Sequence, residues 1–242
     1  VLLLSIRRQR QMCIRDSLNI WRGKDAIKFL NGLSTNKIDK IPENKVISTT
    51  VLTEKAKILD VLHIFNLNNM IISIGNSDNS EQLFSFINKK ILLQDIQLQN
   101  ISSLNKVDIV YDDLLADNSN SVQSNNGITT VNIDGHYNFE IYSVANAVDF
   151  EYMSDDVFDQ WRIDNLIPWY GHEISNKKNP YQCGLGNYVH ENKGCYTGQE
   201  ILTRMRSRNK GIYELKQVKN NEVEDKYITT KGVNLSLALL RI

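Results

Sequence analysis

Along the first hundred residues the apolar positions switch between a helical and a strand period, and each switch marks an element. Ala26, Ile27, Phe29, Leu30 and Leu33 recur at three- and four-residue steps, which predicts a helix over 24–33 whose last turn Gly32 weakens. Residues 18–21 read as a short strand ahead of it. Val, Ile and Thr dominate 45–52 and 57–65, on either side of the polar Thr53-Glu54-Lys55-Ala56, and this pattern predicts a β-hairpin. A third strand, 70–74, follows across Asn66-Leu67-Asn68-Asn69. Helical spacing returns over 80–89, with Leu83, Phe84, Phe86 and Ile87 inward, and 91–99 reverts to a strand. Helix, meander, helix and strand together predict an α+β sandwich.

A second unit of the same kind begins with a strand at 107–111, and its least ordered loop is expected at the Asn- and Ser-rich 117–126. Residues 128–133 and 137–143 flank Asp134-Gly135, both of which tolerate positive φ, so a tight hairpin is expected there. A helix over 150–162 carries Val157, Phe158 and Trp161, and Pro168 ends the regular structure that follows. Residues 188–195 form a glycine-bearing loop that leads into a short helix. Residues 211–218 and 227–230 are strands of a third part.

The chain has 242 residues, enough for one large domain or two modest ones. Lys+Arg and Asp+Glu both number 28, so the formal charge is zero, which argues against direct, stable coating of nucleic acid. Three scattered cysteines, Cys13, Cys183 and Cys195, make neither a disulfide framework nor a metal-binding pair. A reducing compartment fits, the cytoplasm or the mitochondrial matrix of a eukaryote. No apolar run approaches the roughly 18 residues that a membrane span needs, and His63, His136, His172 and His190 are dispersed. Residues 1–16 hold four arginines and contrast with the Lys- and Asn-rich body, so this segment reads as foreign to the fold, a fragment or artefact rather than a targeting signal.

The chemistry concentrates in Lys193-Gly194-Cys195-Tyr196-Thr197-Gly198-Gln199-Glu200. Thr197 with Glu200 matches the capping-box pattern, followed by Ile201, Leu202 and Met205 at near-helical spacing. That places Cys195 near the positive end of a helix dipole with Lys193 two residues away, and both favour thiolate. The duller role for a lone cysteine is a buried structural one. Trp161 on its amphipathic helix is by default a core residue, and Arg204, Arg206, Arg208 and Lys210 are by default a solvated helix face.

The same octapeptide matches K-G-C-F/Y-x-G-Q-E at every position, the signature of the YgfZ branch of the YgfZ/GcvT family, which this chain resembles from about Ser17 to Lys219. Gly23-Lys24-Asp25-Ala26 and Phe29-Leu30-Asn31-Gly32-Leu33-Ser34-Thr35-Asn36 look like the family's opening. Arg162-Ile163, Ile167-Pro168 and Gly171-His172-Glu173 look like its R-I-x-x-G-x-P and G-x-E segment. The resemblance implies a folate-binding α+β fold over 17–205, built of two ferredoxin-like halves (17–105 and 106–205), with a shortened β-barrel segment at 206–242. It implies a monomer that binds tetrahydrofolate and assists iron–sulfur enzymes or their assembly proteins, with an indirect role in tRNA modification. Cys195 and Lys193 are then the reactive pair, with Trp161 and Glu200 as pterin contacts, Tyr196 and Gln199 as pocket wall, and Arg204 as a partner for the glutamate tail. The competing reading is a glycine-cleavage aminomethyltransferase. The family's transferases use an aspartate near the start of the helix after the third strand, where Leu83 falls here.

Overall fold

A computed structural model describes residues 9–12, 16–111, 119–147 and 150–242. Two five-stranded antiparallel sheets dominate. The first orders β3 (Val46–Leu52), β4 (Ile58–Leu67), β5 (Met70–Asn76), β2 (Asp16–Arg22) and β6 (Gln97–Asn100), with α1 (Ala26–Leu33) and α2 (Ser77–Asn88) on one face. The second orders β1 (Gln9–Met12), β7 (Asn105–Tyr111), β10 (Tyr137–Ser143), β9 (Ile128–Ile133) and β8 (Val122–Asn125), and is joined by α3 (Asp155–Asn165). A short α4 (Gln199–Ser207) precedes a three-stranded sheet, β11 (Tyr213–Lys219), β13 (Leu235–Arg241) and β12 (Ile228–Lys231).

Alternation along the strands decides which layer each side chain enters. On β4, Leu62 and Ile64 point to α1 and α2, while Phe65 points the other way into a core shared with Ile109, Ile133 and Phe139 of the second sheet. The two sheets therefore stack face to face, with the helical layer outside the first. A third cluster packs Leu52, Ile58 and Val61 against Tyr181, Leu185 and Leu202.

Both hairpin turns follow from side-chain chemistry. Asn68 and Asn69 take φ of 51° and 61°, and Asp134 and Gly135 take 51° and 79°, the left-handed backbone that Asn, Asp and Gly tolerate. Four elements depart from expectation. Residues 91–96 are irregular, leaving only Gln97–Asn100 as strand, with Leu92 and Leu93 exposed. Val122–Asn125 is a strand inside the supposed loop, because its ladder with β9 captures the polar run; residues 117 and 118 lie outside the described residues. The third helix begins at Asp155, where Asp155 and Asp156 complement the N-terminal dipole.

The fourth departure lies in the segment read as foreign to the fold. Gln9–Met12 pairs with β7 as an edge strand, and Arg10 reaches Asp108 (3.3 Å) and Glu140 (2.5 Å), giving two buried carboxylates a countercharge. Residues 1–8 and 13–15, Cys13 among them, lie outside the described residues.

Candidate functional site

Between the two large sheets opens a cleft of about 710 Å³. Its walls come from distant parts of the chain: Val61 and His63 of β4, Tyr137 and Phe139 of β10, Phe158 of α3, and Trp169 and Tyr188 from the loops that follow. The volume falls in the range of small-molecule sites, and the mixture of aromatic walls with a few fixed polar groups is typical of them. Phe158 and Trp169 meet edge to face with centroids 5.2 Å apart, which fixes both rings.

Arg162 builds the wall that carries Trp169. It is fully buried, and all five of its N–H groups are used. Nε and Nη2 donate to Asp159 (3.0 and 2.6 Å), Nη1 to Ile167 O (3.1 Å) and Glu173 (3.0 Å), and Nη2 also to Thr230 (3.1 Å). Glu173 in turn accepts from the Trp169 backbone N–H (2.9 Å) and the Thr230 hydroxyl (2.7 Å). One planar cation thus ties α3, the cleft loop and the third sheet together, a fork that Lys could not reproduce.

Beneath the cleft, Asp60 is fully buried and accepts from the Tyr170 hydroxyl (2.8 Å), Asn79 Nδ2 (3.2 Å) and the backbone N–H groups of Val61 (2.9 Å) and Asn76 (3.1 Å). Burial pushes its carboxyl up to about 7 despite those four donors. The same burial raises the Tyr170 phenol well above its ordinary value. Further along the same strand as Asp60, burial pulls His63 down to about 4, against the pull of Asp134. Its imidazole is therefore neutral at physiological pH. Gln11 also lines the cleft: its amide N–H donates to Asp155 (2.7 Å), while Oε1 is buried without a partner among the described residues.

The octapeptide lies away from these walls. Cys195 is exposed, four positions before α4. The expected capping box is absent: Gly198 occupies the N-cap position at φ 81°, without a side-chain cap. A Cβ there would come within 2.9 Å of Thr53 O and 3.0 Å of Ala56 Cα, so the close approach of the β3–β4 turn demands glycine. Glu200 is exposed and pairs instead with Arg204 one turn later (2.9 Å). Gln199 anchors the loop, accepting from Tyr196 N and donating to Lys193 O, both at 3.3 Å.

Lys193 is buried, and its ammonium donates to the carbonyls of Asn31 (2.5 Å), Ser34 and Asn36 (2.7 Å). It caps the C-terminal end of α1. Burial pulls it down to about 8. All three of its donors are thereby committed to carbonyls of the last turn of α1 and the residues just after it rather than offered to Cys195.

Trp161 stacks on Phe158 (5.8 Å, 16°) and against Tyr111 (4.6 Å), and lines a separate depression with Gly232 and Val233. Tyr196 packs beside the third core cluster, and Arg204 is on the exposed face of α4. None of Cys195, Lys193, Trp161, Glu200, Tyr196, Gln199 and Arg204 lines the central cleft. Phe158 and Trp169, not Trp161, are the rings of this region that line the central cleft.

One solved structure shares this fold over nearly the whole chain. The crystal structure of glycine cleavage system aminomethyltransferase T from Bartonella henselae superimposes with a TM-score of 0.77, covering 98% of this chain and 79% of that one at 14% identity. The chain has an aminomethyltransferase-like fold. Aminomethyltransferases of Alkaliphilus oremlandii (26% identity over 225 residues, 76% of this chain) and Caldanaerobacter subterraneus (21% over 229 residues, 78%) are similar in sequence. The chain spans about 60% of the length of these two relatives. No family model matches it. The third sheet of the aminomethyltransferase-like fold is open, three strands without a closed barrel. Among the described residues, no helix is long and apolar enough to cross a membrane.

Proposed function

We propose that the central cleft binds a reduced folate, and that the chain serves as a YgfZ-like, non-transferase member of the aminomethyltransferase-like fold, assisting assembly or repair of iron–sulfur enzymes. The observation that carries the folate reading is the cleft's composition. Phe158, Trp169 and Tyr137 offer faces and edges for a flat bicyclic ring. Asp134 and Asp155 add carboxylates at the rim.

The choice against transferase chemistry rests on position 83. Leu83 is buried in the apolar cluster under α1 and α2, so neither carboxylate chemistry nor access to the cleft is available there. Asp78 and Glu81 are neighbours in sequence but lie outside the cleft lining. The transferase reading draws support from the names of the similar proteins. Incubating the protein with aminomethylated carrier protein and tetrahydrofolate decides between them. Tetrahydrofolate binding without turnover supports the assembly-factor reading, and turnover at about 1 s⁻¹ or faster, an ordinary enzyme rate, refutes it. In that role the exposed Cys195 is the group offered to a client, so Cys195→Ala should fail to complement a family-deficient strain.

A further inference from the structure

Histidines aside, the acidic and basic side chains in the cleft wall are three aspartates: Asp134 on the β9–β10 turn, and Asp155 and Asp159 one helical turn apart on α3. Among the described residues, no Lys or Arg lines the cleft. Burial grades the wall from inside to outside. Ile74, Ile109 and Phe139 are buried, Asp134 and Asp159 are half-buried, and Asp155, His136 and Asn187 are exposed. The apolar wall is therefore the inner one, and the aspartates stand at the mouth, where any flexible part of a ligand leaves for solvent.

Little at the mouth offsets these carboxylates. Asp134 accepts from the Tyr188 hydroxyl (3.3 Å) and Asp155 from the Gln11 amide (2.7 Å), both neutral donors, and neither aspartate has an ion pair with a described residue. Asp159 does have one, with Arg162 (2.6 Å), but that guanidinium is also paired with Glu173 and has no N–H left for a ligand. The N-terminal end of α3 is not an anion site either, because Asp155 and Asp156 fill its first turn and outweigh a dipole end of about half a charge. The field of Asp134 reaches into the cleft as far as His63, where it opposes the effect of burial on the imidazole. The basic side chains of α4, Arg204 among them, lie outside the lining.

A tetrahydrofolate joins a flat ring rich in N–H donors to an anionic glutamate tail, and each further glutamate adds one carboxylate. Carboxylate acceptors suit the ring and repel the tail. We propose that the cleft discriminates among reduced folates by charge, taking the monoglutamate and excluding polyglutamate forms through Asp134, Asp155 and Asp159. This inference deepens the reading of the cleft as a folate site and rests on it. A unit charge about 8 Å from another in near-aqueous surroundings alters affinity about twofold, so the added carboxylates of a tetraglutamate should together weaken binding about tenfold.

Titrations of the full chain with tetrahydrofolate and with its tetraglutamate, followed by tryptophan fluorescence, read the ratio of the two Kd values. At pH 8, above the ordinary imidazole pKa of about 6.5, the histidines of the mouth add no charge. The tetraglutamate should bind about tenfold more weakly in about 50 mM NaCl and nearly as well as the monoglutamate in about 500 mM, because the Debye length falls from about 14 Å to about 4 Å. Asp134→Asn/Asp155→Asn keeps an acceptor oxygen for Tyr188 and for Gln11, and should shrink the low-salt ratio to about threefold or less. The ratio is the readout, so a general loss of affinity in the variant does not mimic the effect, and the salt series makes the same test on the unmodified protein. A tetraglutamate that binds as tightly as the monoglutamate, or tighter, at low salt overturns the proposal and leaves the folate reading standing. A ratio that neither salt nor the double substitution changes overturns it as well, since the exclusion is then steric. Saturable binding of neither ligand refutes the folate reading and this inference with it.

Discussion

Replacing Arg162 by Met removes five hydrogen bonds at once and leaves Glu173, itself fully buried, without a countercharge. Glu173 keeps the Trp169 N–H and the Thr230 hydroxyl, but two neutral donors do not replace a guanidinium in a dry site. Breaking one side of a buried ion pair costs about 3–5 kcal/mol. Against a domain stability of roughly 5–15 kcal/mol, that is a large share. Urea unfolding at pH 7, followed by tryptophan fluorescence and circular dichroism, measures the loss. The double substitution Arg162→Met/Glu173→Gln removes the stranded charge, keeps an amide that can still accept from Trp169 N, and should recover about 1–2 kcal/mol relative to Arg162→Met alone. A loss below about 1 kcal/mol for Arg162→Met, or a double variant less stable than the single one, would refute the account of this network.

Asp60 holds its proton up to about pH 7 when folded, against 3.8 for the ordinary carboxyl. The folded chain therefore binds more protons between these values. Its stability should fall as pH rises from about 4 to 7, by at most about 4 kcal/mol at about 1.4 kcal/mol per unit. Asp60→Asn should flatten that slope in urea titrations at several pH values, and an equal slope in both proteins would rule out Asp60 as its source. Leu166 ends α3 at φ 57°, a left-handed conformation in which a branched side chain is strained by about 1 kcal/mol or more. Leu166→Gly should raise the urea midpoint, and a lowered midpoint would count against strain at this position. Iodoacetamide should label Cys195, which is exposed, and spare Cys183, which is buried and whose thiol burial pushes up to about 11. Peptide mass spectrometry of the folded protein reads the two sites separately, and rapid labelling of Cys183 would contradict the packing described.

The strands were legible wherever local chemistry and period agreed. The Asn68-Asn69 and Asp134-Gly135 turns declared their hairpins, because positive φ is a property of those residues themselves. Residues 91–96 misled because Ile91, Leu92 and Leu93 read as a strand, yet among the described residues no strand pairs with them. Thr197 and Glu200 carried the right spacing for a capping box. The close packing of the Thr53–Ala56 turn put Gly198 at the N-cap position instead, a tertiary contact that no local pattern reveals. The cleft was least visible: His63, Tyr137, Phe158 and Trp169 share no motif, and only the stacking of the two sheets brings them together. Gln11 was lost with the segment set aside as foreign, since composition alone cannot tell an edge strand from an appendage.

Tetrahydrofolate titration followed by tryptophan fluorescence in unmodified, Trp161→Phe and Trp169→Phe proteins addresses the cleft most directly. The account predicts a saturable response that survives Trp161→Phe and is largely lost in Trp169→Phe, because only Trp169 lines the cleft. No saturable response in the unmodified protein, or one that disappears with Trp161 and persists without Trp169, would contradict it.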